Sequence, residues 1–240
     1  MPMNDPKTLF LEIRDEYFRP LSSVMFGTVN AYYLWQALKF AISIPEVGEE
    51  KANHNVKIMS KYKYFFSTAE YASLDTAIIG LMKFFDKNPR ALSLASLHKK
   101  MYECKDIITA DTLLEVYPDR FHDDDIRGKY SIYKQEDVDH LDEFRNKNEL
   151  VIKTLKDIRD TRLAHRDIKP SSSTFIPIEV ETLIKEVQEA FNKLSATFES
   201  STTLWDHLEE RVNDDVQYVL DNLERGEKQR LDEIDRKYLK

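Results

Sequence analysis

The chain has 240 residues, 42% hydrophobic and 32% charged, with a formal net charge of −8. This composition supplies a core and excludes disordered, collagen-like and membrane-spanning proteins, since no apolar run approaches the roughly 20 residues that a bilayer needs. Only five glycines occur and none cluster, which excludes the glycine-rich phosphate loops of Walker, dinucleotide-binding and kinase types.

Hydrophobic residues recur at spacings of three and four along the first half of the chain, a pattern typical of amphipathic helices. The pattern predicts a helix from Leu21 to Ile44, closed by Pro45 and Gly48, and a second from Val56 to Phe85. Asn88 suits an N-cap and Pro89 the first position of a shorter helix that continues towards Met101.

Residues 109–134 form a polar, aspartate-rich connector, and a helix then runs from Gln135 to about His165. Pro177 begins another amphipathic helix that ends near Phe198. A last helix starts at Leu204, is interrupted at Gly226 and continues among dense charges. With no convincing strand, the sequence predicts an all-α protein, an elongated bundle of long helices over residues 5–200 with a charged helical extension over 201–240.

Cys104 is the single cysteine, which excludes an internal disulfide and a thiolate metal cage. Residues 1–10 lack the form of an export signal, so we expect a cytoplasmic protein.

The string from His165 to Pro170 looks like a kinase catalytic loop, in which an asparagine five residues after the aspartate binds magnesium. That position is Ser172, and a glycine-rich loop and an Asp-Phe-Gly triplet are missing. The kinase interpretation is therefore rejected.

The same stretch read from Arg159 carries three arginines and a histidine at a helix end. At about 100° per residue, Arg162 lies about 60° and Arg166 about 20° from Arg159, so three guanidinium groups would share one helical flank. Guanidinium groups bind phosphate bidentately and stay charged at any working pH. His165 falls at the border of that flank, where an imidazole could remove and return protons.

Arg159-Asp160 followed by Leu163-Ala164-His165 resembles the arginine-x(4-6)-histidine signature of the HEPN superfamily, helical "higher eukaryotes and prokaryotes nucleotide-binding" domains. The fuller string through Asp167 is most similar to the abortive-infection branch, the AbiU-like proteins. The aromatic helix that ends at residues 74–86 adds to this likeness, which spans residues 17–198.

The resemblance implies a homodimer in which the arginine and histidine of both copies face a shared cleft. It further implies a metal-independent endoribonuclease of bacterial defence or a toxin system, with RNA as substrate, 2′,3′-cyclic phosphate ends as product and no cofactor. Arg159 and His165 would be catalytic, Asp160 would orient one of them, and Arg162 and Arg166 would bind phosphate.

A different class of function also fits the residues, namely a catalytically inactive HEPN domain that binds a protein, a nucleotide or RNA. A structural bundle with an accidental motif is a third. Some toxin members carry a tyrosine that an antitoxin modifies, and here Asp167 stands at that position. An antitoxin or regulatory protein therefore stays an open partner.

Other features have simpler interpretations. The three arginines could pair with Asp157, Asp160 or neighbouring helices, and His165 could bond a carbonyl group. The His122–Asp125 run favours a solvated loop over a metal site. The stretch Tyr62–Phe66 favours core packing over base stacking. The remaining histidines, His54, His98, His140 and His207, have no partners at ligand spacing.

Overall fold

A computed structural model describes residues 5–88, 90–119, 130, 132–164 and 177–238. Helices account for most of these residues, and no strand occurs among them. The prediction of an all-α protein is therefore confirmed.

The helices are numbered in chain order. The first five, which fill the chain up to Phe84, are α1 (Pro6–Ile13), α2 (Arg19–Phe40), α3 (Ile44–Val47), α4 (Glu49–Lys61) and α5 (Lys63–Phe84). The later ones are α6 (Leu94–Glu103), α7 (Ala110–Val116), α8 (Gln135–Lys147), α9 (Glu149–Ile158), α10 (Pro177–Glu199) and α11 (Trp205–Tyr238). π-Helical segments over Arg14–Phe18 and Arg159–Ala164 follow α1 and α9 without a break in the helix.

Several predicted boundaries are wrong, each for a local reason. The helix predicted over residues 56–85 starts earlier and is divided at Tyr62, whose φ of −110° and ψ of 35° are not helical. Asn88 does not begin α6, because the N-cap is Ser93. The Ser93 hydroxyl accepts a hydrogen bond from the backbone N–H of Ser96, and the Ser96 hydroxyl accepts one from the backbone N–H of Ser93, which forms a capping box. Gly226 interrupts nothing, because α11 continues through it.

The helix predicted from Gln135 to His165 is also divided. Asn148, with φ −104° and ψ 18°, separates α8 from α9, and its side-chain amide donates to the carbonyl of Phe144 at 2.9 Å. The helix predicted from Pro177 is confirmed as α10, with proline in its first position.

The chain forms two compact units. The first unit combines Met1–Val29 with Ala77–Thr203, and the second combines Asn30–Thr76 with Leu204–Lys240. The division differs from the predicted segments 5–200 and 201–240, because residues 30–76 group with the C-terminal helix.

Aromatic rings fill part of the core of the first unit. The ring of Phe198 on α10 stacks on Phe18 at 4.9 Å between centroids and meets Phe10 at 5.5 Å. Phe144 on α8 stacks on Phe85, directly after α5, at 6.3 Å. These contacts set α8 against the C-terminal end of α5.

The second unit has a core between α4, α11 and the parts of α2 and α5 that belong to it. It consists of Ala37, Leu38, Ala41, Ile58, Phe66, Val216 and Leu220. The side-chain amide of Asn55, which is fully buried, donates to the carbonyl of Ala41 at 2.7 Å and so ties α4 to the end of α2.

The core interpretation of the stretch Tyr62–Phe66 holds for Phe66, which is 4% exposed, and is wrong for two of its neighbours. Tyr64 is 89% exposed and Phe65 is 62% exposed. The break at Tyr62 starts a new helix, so the register of the preceding helix does not carry over to these aromatics.

Within the first unit, Gly80 on α5 lies close to Thr28 on α2. A Cβ atom at Gly80 would lie 1.8 Å from Oγ1 and 2.9 Å from Cβ of Thr28, whose hydroxyl is held by the carbonyl of Val24 at 2.6 Å. Thr28 is buried, with 2% of its surface exposed. The two helix backbones can approach this closely only while residue 80 lacks a side chain.

We expect Gly80→Ala to lower the free energy of unfolding by about 1–2 kcal/mol, because overpacking outweighs the roughly 1 kcal/mol gained in helix propensity. Urea denaturation of the full chain measures this change. Removing the opposing atoms in the double variant Thr28→Ala/Gly80→Ala should restore part of the loss.

Gly27, next to Thr28 on α2, is the matched control, since nothing lies within 4 Å of a Cβ added there. Gly27→Ala should stabilise the protein, by up to about 1 kcal/mol. Stabilisation of similar size by Gly80→Ala would contradict the proposed close approach.

Candidate nucleic-acid interface

Helix α9 carries Arg159 at its end, and its own sequence decides how it lies. Leu155 and Ile158 are buried, whereas Lys153, Lys156 and Asp157 are exposed. Burying one apolar stripe fixes the rotation of a helix about its axis, so the remaining side chains take defined directions. The lysines of α9 are therefore held on the solvent side of a fixed helix.

The backbone changes geometry where the motif begins. Arg159–Ala164 is π-helical, and Asp160 lies in its first turn. Short π-helical segments inside helices often occur at functional sites. Since their hydrogen bonds span five residues, each residue turns through less than 100°, and the offset predicted for Arg162 from a regular α-helix does not apply. The offset predicted for Arg166 lies outside the described residues.

Arg159 and Asp160 form an ion pair. Nε of Arg159 donates to Oδ1 of Asp160 at 2.8 Å, and Nη2 lies 2.6 Å from the same oxygen. The arginine side chain is 30% exposed. Of the two partners predicted for Asp160, the structure thus shows Arg159, in an arrangement that fixes the guanidinium group in one orientation.

Arg159 lines a groove of about 410 Å³ in the first unit. The walls come from the end of α5, the turn after it, the end of α8, and a stripe along α9. Two acidic side chains, Asp86 and Glu149, line the groove, against five cationic ones. The five are Lys87, Arg145, Lys153, Lys156 and Arg159, and we call this feature the cationic groove.

The cationic character of the groove is notable in a chain of net charge −8. A surface that concentrates positive charge on an acidic body attracts polyanions locally while the rest of the surface repels them. The spacing of Lys153, Lys156 and Arg159 contributes to it, because residues three apart are neighbours on a helix surface. Among the five, Arg159 alone belongs to the predicted motif.

Arg145 has a structural role in the cationic groove. Its side chain is 10% exposed, Nη1 pairs with Asp142 at 2.9 Å, and Nη2 donates to the carbonyl of Phe85 at 3.2 Å. The last contact satisfies a carbonyl group at the end of α5, which has no partner within its own helix. Nε is buried without a hydrogen-bond partner among the described residues.

The structure describes the other predicted site residues only in part or not at all. Arg162 belongs to the π-helical segment by its backbone, and its side chain lies outside the described part of the structure, as do His165 and Arg166. The site that the structure assembles from the motif therefore consists of Arg159 and Asp160. The roles of His165, Arg162 and Arg166 stay predictions.

Some other predictions also fall outside the described residues, among them the His122–Asp125 run. No helix in the described ranges has the length and apolar character needed to cross a bilayer.

Comparison with known proteins identifies the fold family. The family model for AbiU2, a HEPN domain, matches residues 21–219, which is most of the chain. No curated protein and no solved structure gives a significant match. The matched region includes α9, the π-helical segment and every residue that lines the cationic groove, and the chain belongs to the AbiU2 family of HEPN domains.

Proposed function

We propose that this protein is a metal-independent endoribonuclease that acts as a homodimer in bacterial defence. The observation that carries the proposal is the cationic groove, whose lining includes the motif arginine, Arg159, paired with Asp160. Membership of a HEPN family associated with abortive infection supports the role in defence.

The proposed reaction is an internal transfer within RNA. The 2′-oxygen attacks the adjacent phosphorus as a base removes its proton, and the bond from phosphorus to the departing 5′-oxygen breaks as an acid protonates that oxygen. The products are a 2′,3′-cyclic phosphate and a 5′-hydroxyl. One His165 from each protomer would serve as base and as acid, which makes the dimer part of the mechanism.

Arg159 would bind the scissile phosphate and stabilise the extra negative charge of the transition state. A guanidinium group has five N–H donors, and Asp160 occupies those on one edge. An arginine already fixed in orientation meets the developing charge without reorganising, which is the main source of electrostatic catalysis. Asp160 is therefore a positioning residue.

A second candidate function is a catalytically inactive HEPN module that binds another protein. The supporting observation is a row of exposed aromatics on α5, where Tyr64 and Tyr71 are seven residues apart and so lie on one face beside Phe65. Exposed aromatic side chains are enriched at protein interfaces. Only the nuclease interpretation uses the cationic groove and the motif together.

The nuclease proposal predicts that the purified full chain cleaves single-stranded RNA in the presence of excess EDTA and leaves 2′,3′-cyclic phosphate ends. Arg159→Ala and His165→Ala should each lower the rate at least 100-fold, because each removes a group that acts in the transition state. Gel analysis of end-labelled RNA measures the cleavage and the product ends.

Two controls make this result specific. His207→Ala, a histidine outside the motif, should cleave at the wild-type rate, and every variant should keep the wild-type circular dichroism spectrum. Equal cleavage by Arg159→Ala and the wild type would reveal a contaminating nuclease and contradict the proposal. Absence of cleavage by the wild type would contradict the nuclease proposal and favour the inactive module.

The cationic groove predicts a separate effect on RNA binding. In a His165→Ala background, Lys153→Ala/Lys156→Ala should weaken binding of labelled single-stranded RNA. It should also reduce the slope of log affinity against log salt by about 1.4, since each lost phosphate contact contributes about 0.7 for single strands. Fluorescence anisotropy at several salt concentrations measures both quantities.

The matched control is Lys99→Ala/Lys185→Ala, which removes the same charge from exposed positions on α6 and α10 that do not line the cationic groove. This control should leave the slope close to that of the parent. Equal losses in the two double variants would mean that net charge, and not the groove, governs binding.

A further inference from the structure

His140, Glu186 and Glu189 bring three metal-ligating side chains together in the first unit. Their ligand atoms, one imidazole nitrogen and two carboxylate oxygens, all lie within 4.8 Å of one another. His140 belongs to α8, and the glutamates are three residues apart on one face of α10. The cluster therefore joins two helices through residues, His140 and Glu186, that are 46 positions apart in sequence.

The burial of Glu186 is the independent observation. Its side chain is 8% exposed, and its one side-chain hydrogen-bond or ion-pair partner in the described part of the chain is His140, with 3.5 Å between Nε2 and Oε2. Glu189 has neither a hydrogen bond nor an ion pair within the described residues. Two carboxylates, one of them buried, thus lie beside a single imidazole.

The other charged groups nearby do not neutralise these two carboxylates. The charged groups that face Glu186 are His140, Glu189 and Lys193. The ammonium group of Lys193 is already paired with Asp137 at 2.8 Å. A buried carboxylate is costly unless it is paired or coordinates a metal, so a cation between these groups would stabilise them.

The spacing suits a transition metal. Ligand nitrogen and oxygen atoms lie about 2.0–2.1 Å from Zn²⁺, which places two neighbouring ligands of a tetrahedron about 3.3 Å apart. The observed 3.5 Å between His140 and Glu186 is close to that edge. We propose that His140, Glu186 and Glu189 bind a divalent transition metal ion, with Zn²⁺ as the best match, and that the ion links α8 to α10.

None of these three residues lines the cationic groove, so the ion takes no part in the proposed cleavage of RNA. Its effect is on the first unit, where α8 continues through Asn148 into α9. A metal that fastens α8 to α10 would stabilise the helix from which α9 extends. With three protein ligands, a water molecule would take the fourth position of the ion, and binding to the folded chain would raise its stability.

The second unit contains a similar pair of a histidine and a glutamate, in which the carboxylate also pairs with a lysine. Nε2 of His54 lies 3.2 Å from a carboxylate oxygen of Glu224, while the other oxygen of Glu224 pairs with Lys228 at 2.8 Å. That carboxylate is already neutralised by an ammonium group, and the pair has no third ligand in the described part of the chain. His54 is therefore a matched control for His140.

The test is Zn²⁺ binding by the full chain, stripped of metal and measured by titration calorimetry in millimolar Mg²⁺ to suppress binding to scattered acidic groups. We expect one tight equivalent for the wild type and for His54→Ala. Glu189→Gln and His140→Ala should bind at least tenfold more weakly. Thermal unfolding should show a rise in Tm with Zn²⁺ for the first two proteins and little or no rise for the other two.

Glu189 is exposed, so Glu189→Gln removes a ligand without disturbing the core, and circular dichroism checks its fold. The proposal is overturned if the wild type takes up no tight equivalent, if Glu189→Gln binds as the wild type does, or if His54→Ala loses as much affinity as His140→Ala. No RNA enters these measurements, so their outcome is separate from that of the cleavage assay.

Discussion

The cationic groove depends on one constraint, the burial of Leu155 and Ile158 by the short helix α9. A ten-residue helix is too short to be stable alone, so it exists because its apolar stripe is covered. Covering that stripe leaves α9 no freedom to rotate, and the positions that remain outside become a row that ends at Arg159. The chemistry of the site is thus a consequence of packing on the opposite face of the same helix.

The dependence of local structure on packing also explains which parts of the fold could be predicted from the sequence. Long amphipathic helices such as α10 are marked by their own periodicity, and Pro177 marks the start of one. The breaks at Tyr62 and Asn148 carry no glycine or proline and interrupt no hydrophobic pattern. They arise where the chain changes direction to pack against other helices, which is information that a local pattern does not contain.

The residues of the candidate site, too, could be predicted from the sequence only in part. Arg159 and Asp160 are adjacent in sequence, and their pairing was among the predicted alternatives. Lys87 and Arg145 reach the cationic groove only because the end of α5 lies beside the end of α8, where Phe85 stacks on Phe144 and Arg145 binds the Phe85 carbonyl. His140 likewise meets Glu186 and Glu189 only through the packing of α8 on α10. Contacts between residues this far apart leave no trace in local spacing.

Within the cationic groove, Arg159, which is paired with Asp160, and the exposed lysines have different roles. An acidic partner reduces the net charge at the arginine, which by itself would weaken phosphate binding. Counting Asp142 and Asp160, which pair with Arg145 and Arg159, five cations face four acids and Lys87, Lys153 and Lys156 supply the excess, so attraction over a distance does not depend on Arg159 alone. What Asp160 supplies is orientation, because a guanidinium group held at Nε and Nη2 loses less rotamer freedom when a phosphate arrives. Lys153 and Lys156, exposed on flexible stems, provide charge without fixed geometry, and Arg159 provides geometry. If the proposed function holds, a site built in this way would attract an RNA backbone of any sequence and hold one phosphate in a defined position.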